Sequence, residues 1–259
     1  MGKQRAYKAE CNGNDFVIIF KDDSAAKLNE QTIQKLCNID QGIGADGLLL
    51  IDSQADGYDF KIDYYNNDGS WETLCANGAL CVIKLLKSKR HHFKHHQFLA
   101  GDGDHQLKIE GDILSIRMKT PTFKTKDVEV AGNIGAHVDS GARHFVTLSS
   151  IKNIDKLYKT AQAIRYDDYF APTGLNVNFL NIHSSHKIEV ITYEKGVEEI
   201  MLSCGSGSVA AAFYAFSKDD IRSPLTIINQ GGDMELEFND DWSEVWLRSN
   251  PMIEFEINH

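Results

Sequence analysis

Two cysteines, Cys75 and Cys204, stand in nearly the same short phrase, LCANG in one half of the chain and SCGSG in the other. A cysteine directly before a helix lies at the positive end of the helix dipole, beside backbone N–H groups that lack intrahelical partners. Both effects lower the thiol pKa from its usual value of about 8.5, which predicts accessible thiolate at neutral pH. A single such cysteine is usually an ordinary buried residue, so it is the repetition of the phrase that favours a catalytic interpretation.

The residues after each cysteine are suited to binding a carboxylate. The backbone N–H groups of Ala76 and Asn77, and those of Gly205 and Ser206, lie where a helix N-terminus accepts an anion. Two cysteines facing each other across a bound amino acid would lie on opposite faces of its Cα. One thiolate then removes a proton and one thiol returns it, and that chemistry inverts a stereocentre.

Each cysteine must be positioned by the helix that follows it, predicted over residues 77–87 and 206–216. Both segments are apolar almost all round, and a helix without a polar face is buried on every side. Further helical patterns cover residues 29–37 and 155–164, while period-two alternation predicts strands in much of the chain. The predicted strands cover residues 16–20, 47–51, 59–65, 113–118, 144–148, 177–182, 188–193, 225–228, 234–238, 245–247 and 253–257. The cover available for the two apolar helices is therefore sheet.

The repeated phrase predicts the domain organisation. Its two copies lie half the chain apart, which indicates two like domains, each a sheet around one central helix, with an active site where they meet. A length of 259 residues allows two domains of roughly 130 residues. The segment PTFKTKD, residues 121–127, resembles a linker, and the predicted domains are residues 1–123 and 124–259.

Composition and charge narrow the function classes. The apolar fraction of 42% indicates a globular chain, and the net charge of −10 disfavours a broad grip on nucleic acid or anionic lipid. No segment reads as a membrane span or a signal peptide, so a cytoplasmic protein is expected. The five cysteines are an odd number without a CxxC pair, which indicates free thiols rather than a disulfide framework or a zinc site. A small-molecule enzyme fits this profile.

The motifs in combination resemble those of the diaminopimelate epimerases, enzymes that interconvert LL- and meso-2,6-diaminopimelate without a cofactor. The matching segments are GNDF at 13–16, GIGADG at 42–47, NNDGS at 66–70, CANG at 75–78, NVNF at 176–179, EKG at 194–196 and SCGSG at 203–207. Any one of these motifs would be weak alone, but together they extend the resemblance from residue 6 to about residue 256. The resemblance implies an α+β fold of two pseudo-symmetric domains, each with a mostly antiparallel sheet around a central buried helix.

The resemblance also implies roles for individual residues. The catalytic set would be the acid–base pair Cys75 and Cys204, with His144 and Glu194 assisting thiol ionisation. The substrate-binding set would comprise Asn14, Asn66, Asn176 and the backbone of Ala76, Asn77, Gly205 and Ser206. It further implies a homodimer that needs no cofactor and, if the substrate is diaminopimelate, acts in lysine and peptidoglycan biosynthesis. No metal site is predicted.

Two departures from the family pattern bear on substrate choice. The family's GNPH or GSPH is here Gly-Ala-Arg-His at residues 141–144, and the arginine of its ERG turn is Lys195. Lysine keeps the charge but loses the bidentate fork for a distal carboxylate. One hypothesis is that Arg143 supplies the missing guanidinium. The other is that the enzyme acts on a different amino acid.

Alternatives from other classes stay open at the level of sequence. A related racemase of the same two-cysteine type is one. A thiol redox or metal-responsive binding protein is another, since two facing thiolates could form a disulfide or hold a soft metal. The histidine-rich run KSKRHHFKHH, residues 87–96, lacks acidic or cysteine ligands at metal spacing, and a solvated loop is expected there. No role is predicted for Cys11.

Overall fold

A computed structural model describes residues 5–23, 28–150, 153–218 and 220–258. The chain divides into two compact units, one formed by Met1–Arg117 together with Arg248–His259 and the other by Met118–Leu247. Both units combine helices and strands, which confirms the predicted α+β class. Among the described residues, no helix has the length and apolar character needed to cross a membrane.

The first unit begins with a run of strands interrupted by two helices. The strands are β1 (Arg5–Cys11), β2 (Asn14–Phe20), β3 (Gly47–Asp52), β4 (Phe60–Asn66), β5 (Trp71–Glu72), β6 (Gln97–Ala100), β7 (Gly103–Glu110) and β8 (Ile113–Arg117). The helices are α1 (Glu30–Cys37) and α2 (Ala76–Ser88), with a 3-10 turn at Lys21–Asp23.

The second unit repeats this order of elements. Its strands are β9 (Thr122–Phe123), β10 (Val128–Val130), β11 (Asn133–Asp139), β12 (Arg143–Leu148), β13 (Asn176–Ser184), β14 (Lys187–Glu194), β15 (Glu199–Met201), β16 (Leu225–Asn229), β17 (Gly232–Phe238) and β18 (Val245–Ser249), of which the last two residues belong to the first unit. Its helices are α3 (Ile154–Arg165) and α4 (Gly205–Phe216), with a 3-10 turn at Asp168–Phe170. The last strand, β19 (Met252–Asn258), belongs to the first unit.

Strand pairing shows that the two units share one topology. In the first unit β1 and β2 are antiparallel, β2 and β3 parallel, β3 and β4 antiparallel, and β4 and β6 parallel. In the second unit β11, β12, β13, β14 and β16 pair in the same sequence of directions. The predicted internal repeat is therefore present in the fold, and most pairs in both units are antiparallel.

Helices α2 and α4 occupy the centre of their units. In α2 every residue from Ala76 to Ile83 is buried, and the helix packs against β1, β2, β3, β8 and β19. In α4 the small residues Ala210, Ala211 and Ala212 are fully buried, and the helix packs against β11, β12, β13 and β14. Each fully buried Leu or Ile contributes about 1.5–3 kcal/mol. The prediction of two central buried helices is confirmed.

Strand β19, the last strand of the described residues, completes the sheet of the first unit. Strand β19 pairs antiparallel with β1, aligning Ile257 with Ala6 and Ile253 with Ala9. Relative to the division at residue 123/124, residues 118–123 lie in the second unit and residues 248–259 in the first. The physical reason is pairing between distant strands, because β9 bonds to β11 and β19 bonds to β1.

Candidate active site

Cys75 is the N-cap residue of α2. Its backbone is extended, with φ −114° and ψ 120°, and its carbonyl accepts the first helical hydrogen bond from Ala79 N at 2.9 Å. The side chain is partly exposed, whereas the next two residues, Ala76 and Asn77, are buried. The thiol therefore lies at the positive end of the helix dipole, as predicted from the phrase.

Asparagine side chains join the start of α2 to the β1–β2 hairpin. Asn77 Nδ2 donates to Asn14 Oδ1 at 2.8 Å, and Asn12 Nδ2 donates to Asn77 Oδ1 at 3.3 Å. Ser249 Oγ in turn donates to Asn12 Oδ1 at 2.8 Å. Sequence reasoning predicted roles for Asn14 and Asn77 but missed Asn12. The signal was the Asn-Gly pair at residues 12–13, which favours a tight hairpin turn and places Asn12 beside the helix.

Asp46 holds this hairpin from the other side. Its Oδ2 accepts from Asn14 Nδ2 and from the backbone N–H of Asp15, both at 3.2 Å, and its own N–H donates to Asp15 Oδ1 at 2.9 Å. Lys8, which is buried, pairs with Asp15 and donates to the carbonyl of Gly44. The GIGADG loop is thus a scaffold that fixes the Asn14 amide.

Asn66 lies in a separate set of contacts at the end of β4. Its Nδ2 donates to Ser70 Oγ at 3.0 Å, and its Oδ1 accepts from Tyr64 OH at 3.1 Å. These bonds hold the turn that leads into β5.

Cys204 is the N-cap residue of α4, as Cys75 is of α2. Its backbone is extended, with φ −145° and ψ 113°, and its Sγ accepts a hydrogen bond from Gly207 N at 3.4 Å. Ser206 Oγ lies 3.6 Å from Sγ. The backbone carbonyl of Ser206 accepts from Ser140 Oγ at 2.7 Å, which ties the first turn of α4 to the loop between β11 and β12.

A line of polar side chains leads away from Cys204, half-buried at Ser206 and buried at His144, Asn178 and Thr192. His144 Nε2 lies 3.0 Å from Ser206 Oγ, Asn178 Nδ2 lies 2.9 Å from His144 Nδ1, and Thr192 Oγ1 donates to Asn178 Oδ1 at 2.8 Å. Parallel pairing of β12 with β13, and antiparallel pairing of β13 with β14, bring His144, Asn178 and Thr192 together. Ser206 joins them from the first turn of α4. Sequence reasoning placed His144 and Ser206 here but missed Asn178 and Thr192, because cross-strand register decides their position.

Burial sets the protonation of this group. It lowers the pKa of His144 to about 3, so the imidazole is neutral at physiological pH. Burial, followed by the negative charge of Glu194, raises the pKa of Cys204 to about 12. The hydrogen bonds from Ser206 and Gly207 lower it, but by less. The prediction of accessible thiolate at neutral pH is therefore wrong for Cys204, because burial outweighs the helix N-terminus.

The start of β13 lies beside the end of β14, because the two strands are antiparallel. This pairing places Asn176 next to Glu194 and Lys195. Asn176 Oδ1 accepts the backbone N–H of Lys195 at 2.8 Å, which fixes the turn after Glu194. The Lys195 side chain is exposed. Glu198 holds the same turn, since its Oε1 accepts from Gly196 N at 3.0 Å and from Arg165 Nη2 at 2.8 Å.

Arg143 lies apart from the His144 group. Its Nε donates to His137 Nε2 at 3.5 Å, and the His137 ring packs edge-on against Phe170. Successive residues of a strand point to opposite faces, so Arg143 and His144 lie on different faces of β12. The structure joins His144, Ser206 and Cys204 but does not bring Arg143 to them.

The remaining cysteines lie in the core, and the backbone of the histidine-rich run is held by hydrogen bonds to Asp59. Cys11, Cys37 and Cys81 are buried, and burial with a hydrogen bond to Cys11 raises the pKa of Cys81 well above its usual value. In the loop after α2, the carboxylate of Asp59 accepts the backbone N–H groups of Lys94 and His95 at 2.6 and 2.9 Å. Within the described part of the chain, no group of three or more His, Cys, Asp or Glu side chains is placed to hold a metal.

Comparison with known sequences gives consistent matches. The family model described as diaminopimelate epimerase matches residues 6–124. A diaminopimelate epimerase of Flavobacterium psychrophilum is 35% identical, covering 97% of this chain and 98% of the relative. Those of Aquifex aeolicus and Methanocella arvoryzae are each 32% identical, covering 96% and 100% of this chain and 95% and 98% of the relatives.

Solved structures with the same fold are more distant in sequence. A Bacillus anthracis phenazine biosynthesis protein of the PhzF family superposes with a TM-score of 0.73 at 12% identity, covering 100% of this chain and 99% of that one. A probable proline racemase from Agrobacterium radiobacter gives a TM-score of 0.71 at 12% identity, covering 99% and 92%. At this identity the likeness establishes the fold alone.

Proposed function

The chain belongs to the diaminopimelate epimerase family, and on this premise we propose that it interconverts LL- and meso-2,6-diaminopimelate by moving the Cα proton between two cysteines. The observation that carries the proposal is the duplicated cap, in which Cys75 begins α2 and Cys204 begins α4 in units of the same topology. A pair of equivalent thiols is what a reaction needs when it must run in both directions at one carbon.

The proton balance closes without an added reactant. A thiolate takes the proton from the substrate Cα and becomes a thiol, while the electron pair stays on carbon. The second thiol gives its proton to the opposite face of that carbon and becomes a thiolate. Cys204, whose pKa is raised to about 12, is suited to enter as the thiol. No cofactor is required by this scheme.

The amides around each cysteine support a binding role for the substrate. We assign the α-carboxylate to the backbone N–H groups of Ala76, Asn77, Gly205 and Ser206, at the N-termini of α2 and α4. A buried dipolar ligand also needs fixed neutral partners, and amide side chains offer both a donor and an acceptor. The side chains assigned to this role are those of Asn14, Asn66 and Asn176. Glu194, which ends β14 and acts electrostatically on Cys204, is assigned with His144 to control of that thiol.

Two cations are candidates for the distal carboxylate. Lys195 is exposed on the turn after Glu194, and its backbone is held by Asn176. Arg143 donates to His137 on the other face of β12 from His144. We therefore propose Lys195 as the principal contact and Arg143 as the alternative. Lys195→Gln should raise KM for the dicarboxylate about tenfold, and Arg143→Gln should change it by less than threefold; the reverse order would favour Arg143.

We further propose a cytoplasmic homodimer that acts in lysine biosynthesis. The family resemblance supports the dimer and the pathway. The five cysteines are thiols outside any disulfide, which suits a reducing compartment because thiol catalysis requires unoxidised sulfur.

The deciding experiment is proton NMR of LL-diaminopimelate with reduced enzyme in D2O. We expect loss of the α-proton signal and growth of the meso isomer without added cofactor. Cys75→Ala and Cys204→Ala should each lower the rate of inversion at least 1,000-fold, whereas Cys37→Ala, at the end of α1, should stay within threefold. Full activity of either active-site variant would overturn the two-cysteine mechanism. Exchange with another amino acid but not with diaminopimelate would assign a different substrate.

A further inference from the structure

We propose that Asn178 and Thr192 are positioning residues: they hold His144 as the tautomer that carries its proton on Nε2, so that the Ser206 hydroxyl is directed to donate to Cys204 Sγ. This inference rests on the proposed function, since it describes how one of the two sulfurs is supported during proton transfer. It concerns residues of the second unit only.

The orientation of the Asn178 amide is fixed from two sides. Thr192 Oγ1 donates to its Oδ1 at 2.8 Å, and its Nδ2 lies 3.5 Å from the backbone carbonyl of Phe145. A carbonyl only accepts, so the nitrogen of the amide must be the atom on that side. Nδ2 then faces His144 Nδ1 at 2.9 Å as a donor.

That contact determines the tautomer of His144. An amide nitrogen cannot accept, so His144 Nδ1 must accept and carries no proton. The neutral imidazole therefore carries its proton on Nε2 and donates it to Ser206 Oγ, 3.0 Å away. Ser206 has one hydroxyl proton of its own, and with its oxygen already accepting from His144 that proton is free to point at Cys204 Sγ, 3.6 Å away.

The consequence is a line of hydrogen bonds that all run toward one sulfur. Thr192 donates to Asn178, Asn178 to His144, His144 to Ser206 and Ser206 to Cys204, while Gly207 N adds a second donor to the same sulfur at 3.4 Å. When Cys204 gives its proton to substrate carbon, the resulting thiolate meets donors that are already oriented. No proton has to leave His144 in this step, so His144 supports the serine and does not act as a base.

Burial protects the first three members of the line from water. His144 and Asn178 are 0% exposed and Thr192 is 2% exposed. Water cannot supply substitute donors to these three side chains, and a broken link among them leaves a buried group unsatisfied. The close approach also requires Gly207, because a Cβ at this position would lie 2.4 Å from Asn178 Oδ1.

The first test reads the tautomer directly. In protein labelled with 15N-histidine, long-range 1H–15N NMR at neutral pH should show His144 with a protonated Nε2 and a bare Nδ1. A protonated Nδ1 would overturn the proposal. This measurement uses the unmodified protein and no substrate, so it stands even if the enzyme proves to act on another amino acid.

The second test asks whether the effect travels through Ser206. We would measure the rate of iodoacetamide alkylation at a fixed, mildly alkaline pH for Cys204 and Cys75 separately, by peptide mass spectrometry. Below the thiol pKa this rate is proportional to the fraction of thiolate. Asn178→Ala should lower the rate at Cys204 about tenfold and leave the rate at Cys75 unchanged. In a Ser206→Ala background the same change should have no further effect. An undiminished loss of rate in that background would overturn the proposal.

A milder pair guards against a folding defect in Asn178→Ala. Thr192→Val removes the hydroxyl that holds Asn178 Oδ1, and Thr192→Ser keeps it. We expect slower alkylation of Cys204 in the valine variant and the wild-type rate in the serine variant. Equal rates in the two variants would contradict the role of the hydroxyl.

Discussion

Cys75 and Cys204 both precede their helices with an extended backbone, but the side chains that follow them make different contacts. Asn77 and Ser206 occupy the same position, two residues after the cysteine. Asn77 turns to the β1–β2 hairpin and bonds to Asn14 at 2.8 Å, whereas Ser206 lies between the His144 imidazole and the sulfur of Cys204. The duplicated fold thus supplies two equivalent helix N-termini, and one side chain decides whether each is tied to the scaffold or to the thiol.

The strand residues that contact Asn77 and Ser206 differ in the same way between the two units. Asn14 begins β2 and His144 lies at the start of β12, and each contacts the second residue of its central helix. Asn14 cannot titrate and is held by Asp46, whereas His144 is a buried titratable imidazole held by Asn178. Four measurements test this contrast, ordered from the largest expected effect to the smallest.

The largest effect should be acid destabilisation by His144. The pKa of His144 falls to about 3 on folding. Below about pH 6.5, therefore, His144 is protonated in the unfolded chain and stays neutral in the folded chain. Stability is then lost as pH falls through this window, by about 1.4 kcal/mol per pH unit, or about 3 kcal/mol at pH 4. Urea unfolding between pH 4 and 7 should show a shallower loss for His144→Gln. The exposed His92→Gln should match wild type, and equal slopes in all three proteins would refute the assignment.

The glycines at the third position of α2 and α4, Gly78 and Gly207, should respond differently to an added methyl group. A Cβ at Gly207 would meet Asn178 Oδ1 at 2.4 Å and Thr192 Oγ1 at 2.9 Å, whereas one at Gly78 would meet only side-chain carbons, the nearest being Leu49 Cδ2 at 3.1 Å. Gly207→Ala should lower kcat about 100-fold by displacing the group beside Cys204. Gly78→Ala should lower it less than tenfold, since Leu49 can move. Similar losses would show that the two caps are equally constrained.

Alanine at the second position of α2 should mainly lower stability, whereas alanine at the second position of α4 should mainly lower activity. Asn77→Ala removes a buried amide that bonds to both Asn12 and Asn14, and should cost about 2 kcal/mol of unfolding free energy. Ser206→Ala should cost less than 1 kcal/mol but lower kcat about tenfold. Denaturation and steady-state kinetics on both variants check this, and a larger stability loss for Ser206→Ala would contradict it.

The smallest expected effect is the loss of stability when a helix cap is removed, and it should be equal in the two units. The outer helices α1 and α3 are capped alike, with Asn29 accepting from Thr32 N and Asn153 from Lys156 N, both at 2.9 Å. Asn29→Ala and Asn153→Ala should each cost about 1 kcal/mol in urea unfolding. Costs that differ by more than twofold would show that the units diverge outside their centres as well.

Local patterns predicted most of the fold. The four helices expected from periodicity all form, and each expected strand lies within or overlaps an observed one. The strands that were missed are β1, β5, β6, β7, β9, β10, β11 and β15, most of which are short. Two of the longer ones, β1 and β11, have sequences, RAYKAEC and NIGAHVD, that alternate poorly in polarity. Most of β1 is buried on both faces, and β11 contains a glycine whose added Cβ would lie 2.1 Å from the carbonyl of Val146. Packing with partner strands, absent from the local sequence, explains both.

The site was predictable where the motif was local and not where it depended on register. Cys75, Cys204 and the residues after them follow from one repeated phrase. Asn178 and Thr192 are neighbours only because β13 and β14 align them. The protonation of Cys204 was mispredicted because a sequence shows the helix that lowers a pKa but not the burial that raises it more.

The return of β19 to β1 has a consequence for synthesis. The second unit is one continuous segment, Met118–Leu247, inserted between the two parts of the first. During translation its strands β9 to β17 can pair with one another while β1, already able to pair with β2, still lacks its second partner, β19. The unit that carries Cys204 is therefore expected to fold first on the ribosome. The sheet that surrounds the helix of Cys75 is closed only when the residues of β19 emerge.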